Sequence, residues 1–247
     1  MSNNIVLVHG AWHGAWCWAG VVSELDKLGD RAYAVDLPGH GQNHCDRSRV
    51  TLAAYVDSVV KFIEERDLRD VLIAGHSLGG LTISGVSARI PRRIKRCVFV
   101  TAIVPLDGTK ILDPANPSQK PLVDLINSLP ERSSPLHVMG HDFYEGLMND
   151  VPEAMQTWIQ ASLSPQPLGP LTDPVPMKAF QESGVPTAYV VCENDQTPID
   201  GGQGWHPHFS SRLNNPVLKF INCGHEVMFT QPAACARALH ELAELPS

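Results

Sequence analysis

Residues 71–90 constrain the fold more tightly than any other stretch of this chain. A short apolar run, Val71-Leu72-Ile73-Ala74, leads directly into Gly75-His76-Ser77-Leu78-Gly79-Gly80, and a helix-compatible stretch follows to Ile90. A strand, then Gly-x-Ser-x-Gly, then a helix is the pattern of a nucleophile elbow. The turn is so sharp that the serine takes a strained backbone conformation. A Cβ two residues before or after it would collide with the neighbouring strand and helix. Such a turn lifts Ser77 Oγ to the top of a sheet and leaves the Leu78 N–H opening the next helix. The bland alternative is a glycine-rich strand-to-helix turn with an ordinary capping serine.

The rest of the chain alternates in the same way. Apolar runs at Ile5–His9, Ala32–Asp36, Val71–Gly75, Arg96–Val104, Thr187–Cys192 and Val217–Asn222 read as strands. Ala15–Leu28, Leu52–Arg66, Leu78–Ile90, Gly201–Leu213 and Pro232–Leu245 read as helices. This order predicts a parallel sheet of about six strands with helices on both faces. Most of the runs are apolar throughout, as strands buried on both faces require. The alternation breaks from Pro105 to about Val185, a proline-dense stretch with helical pieces at 142–149 and 152–162. It is expected to form a helical cap over the C-terminal ends of the strands. The division is therefore a core of 1–105 and 186–247, with a cap insertion at 106–185. Phe143, Leu147, Met148, Met155, Trp158 and Ile159 recur at helical spacing there, and packing is the commoner use of such a stripe.

At 247 residues, one domain with an insertion fits better than two. A net charge of -7 gives no electrostatic case for nucleic acid or an anionic membrane. No apolar run has the length that spans a bilayer. Cys17, Cys45, Cys97, Cys192, Cys223 and Cys235 lack CxxC spacing. They read as buried free thiols rather than a disulfide framework or a zinc site. The chain reaches a strand by Ile5 without a basic segment or an apolar signal core, so a cytoplasmic location is the default expectation.

A serine hydroxyl needs a base within hydrogen-bond reach, and the base needs an orienting acid. In strand-turn-helix sites of this kind the order along the chain is serine, acid, histidine. The last strand-like run ends in Asn222-Cys223-Gly224-His225, which makes His225 the candidate base among 11 histidines. The run before it ends in Cys192-Glu193-Asn194-Asp195, which nominates Asp195. Glu193, Asp200 and the more distant Asp107 compete with it. The oxyanion of a tetrahedral intermediate needs two N–H groups. Leu78 supplies one candidate and Ala11, in the loop His9-Gly10-Ala11-Trp12-His13-Gly14, the other. His13 reads as a structural hydrogen-bonder that holds this loop.

Val6-Leu7-Val8-His9-Gly10-Ala11-Trp12-His13-Gly14-Ala15-Trp16-Cys17-Trp18 resembles the opening of the plant methylesterase and hydroxynitrile lyase group of the α/β-hydrolase superfamily. Asp36-Leu37-Pro38-Gly39-His40-Gly41, the elbow and Gly224-His225 continue the likeness, which is loose only in the cap. The resemblance implies an α/β-hydrolase fold, a triad of Ser77, Asp195 and His225, an oxyanion hole at Ala11 and Leu78, and no cofactor. Lyases of the group carry Thr at the position of Ala11 and Lys after the catalytic His, where this chain has Glu226. A glutamate there would repel departing cyanide, and both departures favour the esterase branch.

The reading is a cofactor-independent serine esterase acting on a small, largely apolar carboxylic ester. Trp12, Trp158 and Met228 are expected to wall the pocket, and no metal-ligand cluster is present in the sequence. An amidase or carbamate hydrolase would use the same triad. A carbon–carbon lyase or a cofactor-free oxygenase would use His225 as base without an acyl-enzyme. A ligand-binding receptor on the same scaffold is a third rival. The expected partner is an ester, amide or carbamate small molecule, and a homodimer stays open.

Overall fold

The apolar runs assemble into one parallel sheet. The computed structural model describes residues 2–115, 124, 128, 141–198 and 204–246. Its strands are β1 (Asn4–Val8), β2 (Arg31–Val35), β3 (Val71–Ser77), β4 (Ile94–Ala102), β5 (Thr187–Cys192) and β6 (Val217–Ile221), in spatial order β2-β1-β3-β4-β5-β6. Every neighbouring pair is parallel. The four inner strands are buried along most of their length. Edge strands β2 and β6 are partly solvated, and Leu218 and Phe220 of β6 are exposed. Burial on both faces is thus a property of the inner strands, because only they have helices above and below.

Helices α1 (Ala19–Lys27), α2 (Leu52–Glu65), α3 (Gly79–Arg89) and, at the end of the chain, the helix Pro232–Glu244 cover the sheet. In α2 the buried residues Leu52, Tyr55, Val56, Val59, Val60 and Ile63 recur at three- and four-residue intervals, and the Thr51 side chain caps the Ala54 N–H at 3.1 Å. One core cluster joins α2 and α3 to one face of the sheet, and a second joins α1 and the C-terminal helix to the other. Five of the six cysteines are buried free thiols, and Cys45 is exposed.

Between β4 and β5 the described residues hold four short helices: α4 (His141–Leu147), α5 (Glu153–Ser162), α6 (Gly169–Thr172) and α7 (Met177–Glu182). Leu147, Met148, Val151 and Ile159 form a small core of their own, packed against Trp12, Trp16 and Phe229. The apolar stripe is therefore used mainly for packing. The helix expected over 201–213 differs in the structure. Its described part is turns followed by a 3-10 turn at Ser210–Arg212. Gly204, at φ 71°, and Pro207, which lacks an N–H, interrupt any helical ladder there. A short helix, α8 (Val227–Thr230), forms instead immediately after His225. No helix among the described residues is long and apolar enough to cross a membrane.

Candidate active site

Ser77 ends β3 with φ 51°, a left-handed conformation uncommon for a residue with a side chain. The Ile103 N–H holds the Ser77 carbonyl at 3.0 Å. The glycines flanking the turn are sterically required. A Cβ on Gly75 would lie 2.8 Å from the Gly79 carbonyl oxygen, and one on Gly79 would lie 2.8 Å from the His9 carbonyl oxygen. Within Gly75–Gly80, Ser77 alone keeps partial solvent exposure.

The loop after β1 is pressed onto this elbow. A Cβ on Gly10 would meet Ser77 Cβ at 2.9 Å, so only glycine lets Ala11 come this close. His9 Nδ1 donates to the Gly10 carbonyl at 2.8 Å, and the Leu37 N–H donates to His9 Nε2 at 3.2 Å. His13 Nδ1 donates to the Ala11 carbonyl at 2.8 Å, in keeping with its reading as a structural hydrogen-bonder. Asp36 receives the Ala15 N–H at 2.6 Å. Trp12, at φ 65°, gives its N–H to Gln166 Oε1 at 3.2 Å.

Asp195 follows β5 and His225 follows β6. Their side chains are each 1% exposed, and His225 Nδ1 lies 2.6 Å from Asp195 Oδ2. The same Oδ2 accepts from Thr101 Oγ1 at 2.7 Å, and Oδ1 accepts from the Thr197 N–H at 2.9 Å. Burial opposes the Asp195 carboxylate, but His225 and these donors outweigh it and hold its pKa below the usual value. Burial likewise opposes the His225 imidazolium, yet the charge and hydrogen bond of Asp195 leave its pKa raised. His76, beside Ser77, donates Nε2–H to the His225 carbonyl at 3.1 Å, and the two rings lie 4.6 Å apart. The Trp205 ring also packs against His225, with ring centroids 4.8 Å apart.

Of the competing acids, Glu193 is exposed, Asp107 accepts from the Lys178 N–H at 2.8 Å, and Asp200 lies outside the described residues. Thr101 and Asp150, which accepts the Gly224 N–H at 2.6 Å, escape sequence reasoning because they reach the site only through the fold, and His9 and His76 lie in the motifs but their partners are not legible there. Among the expected pocket residues, Trp12 is half-buried beside Ala11 and meets Phe143 edge to face at 5.8 Å. Trp158 is 52% exposed and packs on Trp16 and Phe229. Met228 is buried in the core cluster beneath α1 and the C-terminal helix, since α8 turns it inward. Glu226 is fully buried, and its Oε2 faces His13 Nε2 at 3.5 Å. Among the described residues, no group of three or more His, Cys, Asp or Glu is arranged to hold a metal ion.

A profile described as "Alpha/beta hydrolase family" matches residues 5–238. The chain belongs to the alpha/beta hydrolase family. A carbendazim-hydrolysing esterase from Nocardioides sp. (strain SG-4G) is 30% identical over 255 residues, covering 97% of this chain and 99% of that protein. Methylesterase 7 of Arabidopsis thaliana is 26% identical over 262 residues, covering 98% and 97%. Among solved structures, an extracellular alpha/beta-hydrolase from a Paenibacillus species superposes with a TM-score of 0.84 at 31% identity, covering 98% of each chain. That protein shares structural and functional homology with tobacco salicylic acid binding protein 2. The likeness to the methylesterase group seen in the sequence therefore holds.

Proposed function

We propose that this α/β-hydrolase is a serine esterase that cleaves a small, largely apolar carboxylic ester through an acyl-enzyme. The observation that carries the reading is the buried Asp195–His225 bond at 2.6 Å beside the strained Ser77 elbow. An ionised Asp195 accepts, so the His225 proton sits on Nδ1 and the Nε2 lone pair is free to take the Ser77 proton. Ser77 Oγ attacks the carbonyl carbon, and its proton passes to His225 Nε2. The imidazolium is stabilised by Asp195 and returns the proton to the leaving alcohol. Water then repeats the cycle on the acyl-enzyme.

Ala11 and Leu78 N–H groups receive the oxyanion. His9 fixes the carbonyl of the Gly10–Ala11 peptide, and across a trans peptide the Ala11 N–H must point the opposite way. Donors of this kind contribute about 3–4 kcal/mol each to the barrier. The Trp12 and Phe143 rings supply apolar surface beside Ala11, and the segment around α4–α6 acts as the cap. Relatives named as esterase and methylesterase support ester cleavage over the carbon–carbon lyase alternative. Ala11 also lacks the side-chain hydroxyl of those lyases, and Glu226 is turned toward His13.

The test is labelling by a fluorophosphonate together with turnover of a panel of chromogenic esters. Wild type labels at Ser77 and releases alcohol with a burst of acyl-enzyme. Ser77→Ala does neither and loses several orders of magnitude in turnover. More than a tenth of wild-type turnover in Ser77→Ala overturns the reading.

A further inference from the structure

Among the described residues, the carboxylates of Asp195, Asp36 and Asp150 around this site all have donors. Asp195 receives three, Asp36 receives the Ala15 and Gln42 N–H groups, and Asp150 receives the Gly224 N–H. Glu226 is as deeply buried as any of them. Yet neither of its oxygens has a hydrogen-bond partner, and neither has His13 Nε2, the atom it faces. The His13 tautomer is set by chemistry. Nδ1 lies 2.8 Å from the Ala11 carbonyl, which can only accept, so Nδ1 carries the proton. In a neutral ring Nε2 is then a lone pair. A carboxylate oxygen 3.5 Å from it would be two acceptors confronting each other away from water.

We infer that Glu226 and His13 form a buried positioning pair that shares one proton. Glu226 carries it as a neutral carboxylic acid with its O–H toward His13 Nε2, and the pair ties the base loop to the oxyanion loop. The inference rests on the reading of Ala11 as an oxyanion donor. Glu226 is joined by the backbone to His225 on one side, and His13 holds the Ala11 carbonyl on the other. The link therefore runs from the proposed base to the proposed oxyanion loop through a single side-chain contact.

The surroundings favour the neutral pair over an imidazolium and carboxylate. The ionisable groups that bear on Glu226 are His13, His225, Asp195, Asp150 and, from the turn before α1, Cys17. Asp195 and Asp150 are acidic and disfavour a further negative charge, and only a charged His225 would support one. Burial is the main force pushing Glu226 up to about 7, and burial likewise takes His13 down to about 4. Both shifts favour uncharged partners.

The experiment compares wild type with Glu226→Gln and Glu226→Leu. A difference infrared spectrum between wild type and Glu226→Gln at mildly acidic pH shows the carbonyl stretch of a protonated carboxyl, lost in the variant. Gln donates an amide N–H to His13 Nε2 and replaces the bond, so it keeps most of the kcat that Leu loses. Leu leaves Nε2 unpaired and loosens the loop. Its kcat falls about tenfold or more, a part of what loss of an oxyanion donor costs, with KM little changed. Absence of the protonated-carboxyl band overturns the shared proton. Wild-type kcat in Glu226→Leu, or in Glu226→Met should Leu not fold, overturns the positioning role. Fluorophosphonate labelling of wild-type Ser77 runs alongside. If it fails, the esterase reading falls, while the infrared band still decides the protonation of Glu226.

Discussion

Asp195→Asn tests the proposed triad through proton positions that the structure itself fixes. The two carboxylate oxygens have different duties. Oδ1 accepts the Thr197 N–H, while Oδ2 accepts from both His225 Nδ1 and Thr101 Oγ1. A backbone N–H can only donate, so the amide introduced by the substitution must leave its oxygen at the Oδ1 position. Its NH2 group then faces His225 Nδ1. The Thr101 hydroxyl can rotate and become an acceptor, but the imidazole must accept at Nδ1 and move its own proton to Nε2. That proton blocks the atom meant to receive the one from Ser77. The substitution changes no volume, so the fold persists while the tautomer inverts. Wrong-tautomer triads lose about four orders of magnitude in kcat, or about 5 kcal/mol of barrier. The assay is kcat/KM on a chromogenic ester, with circular dichroism to confirm the fold. Glu193→Gln and Asp107→Asn are the controls, the first exposed and the second bonded to the Lys178 backbone. A loss under tenfold in Asp195→Asn, or a larger loss in Asp107→Asn, would refute the assignment.

Two further outcomes follow from the same geometry. His225 must be neutral to act as base and its pKa is raised above 6.5, so kcat/KM falls as pH drops through a value above 6.5. The stability contributed by its pairing runs the other way. It is complete below the unfolded value of 6.5 and is lost as pH rises through the folded pKa. Asp195→Asn takes away the charge that raises the His225 pKa, so it moves the acid limb to lower pH and removes the stability trend, and pH profiles of kcat/KM and of the urea midpoint check both. An acid limb centred below 6.5 in wild type contradicts the first. Gly10→Ala forces a methyl against Ser77 Cβ and His76 Nδ1, 2.9 and 3.0 Å from its ideal position. Stability drops by about 1–3 kcal/mol through overpacking, and kcat falls about tenfold or more as Ala11 is pushed from the oxyanion position. Unchanged kcat in a folded Gly10→Ala protein would remove Ala11 from the hole.

Much of the molecule is legible in the chain because its signals are local. A strand followed by Gly-x-Ser-x-Gly specifies its own turn. The serine–acid–histidine order follows from strand ends, so Ser77, Asp195 and His225 could be nominated before any contact was known. β5 falls on Thr187–Cys192, the stretch its apolar run predicts. What local signals cannot carry is the partner of a side chain. Thr101 reaches Asp195 because β4 and β5 are adjacent in the sheet, an arrangement that apolar runs do not encode. The direction of the Glu226 side chain is likewise not legible in the chain, and the α8 turn directs it inward onto His13. The same turn buries Met228. The stretch 201–213 has apolar residues at helical intervals, but Gly204 and Pro207 override that periodicity.

Described residues between β4 and β5 hold the loops of the proposed site. Asn149 Nδ2 donates to the Asn194 carbonyl at 2.9 Å, beside Asp195, and Asp150 accepts the Gly224 N–H, beside His225. Further along the segment the grip passes to the oxyanion side. The Ser164 N–H donates to the Trp12 carbonyl at 2.8 Å, and Gln166 accepts the Trp12 N–H. The loops carrying the proposed acid, base and oxyanion donor therefore each take a backbone partner from this segment. The Gly224 N–H is buried and costly to leave unpaired, so the Asp150 contact supports the loop that carries His225. Between the anchors Val151 and Ile159 pack into the small core, while Trp158 has more than half its surface in solvent. Changes at the exposed Trp158 leave these anchors in place, whereas replacing Asn149, Asp150 or Gln166 removes a side-chain partner from the loops of the proposed site.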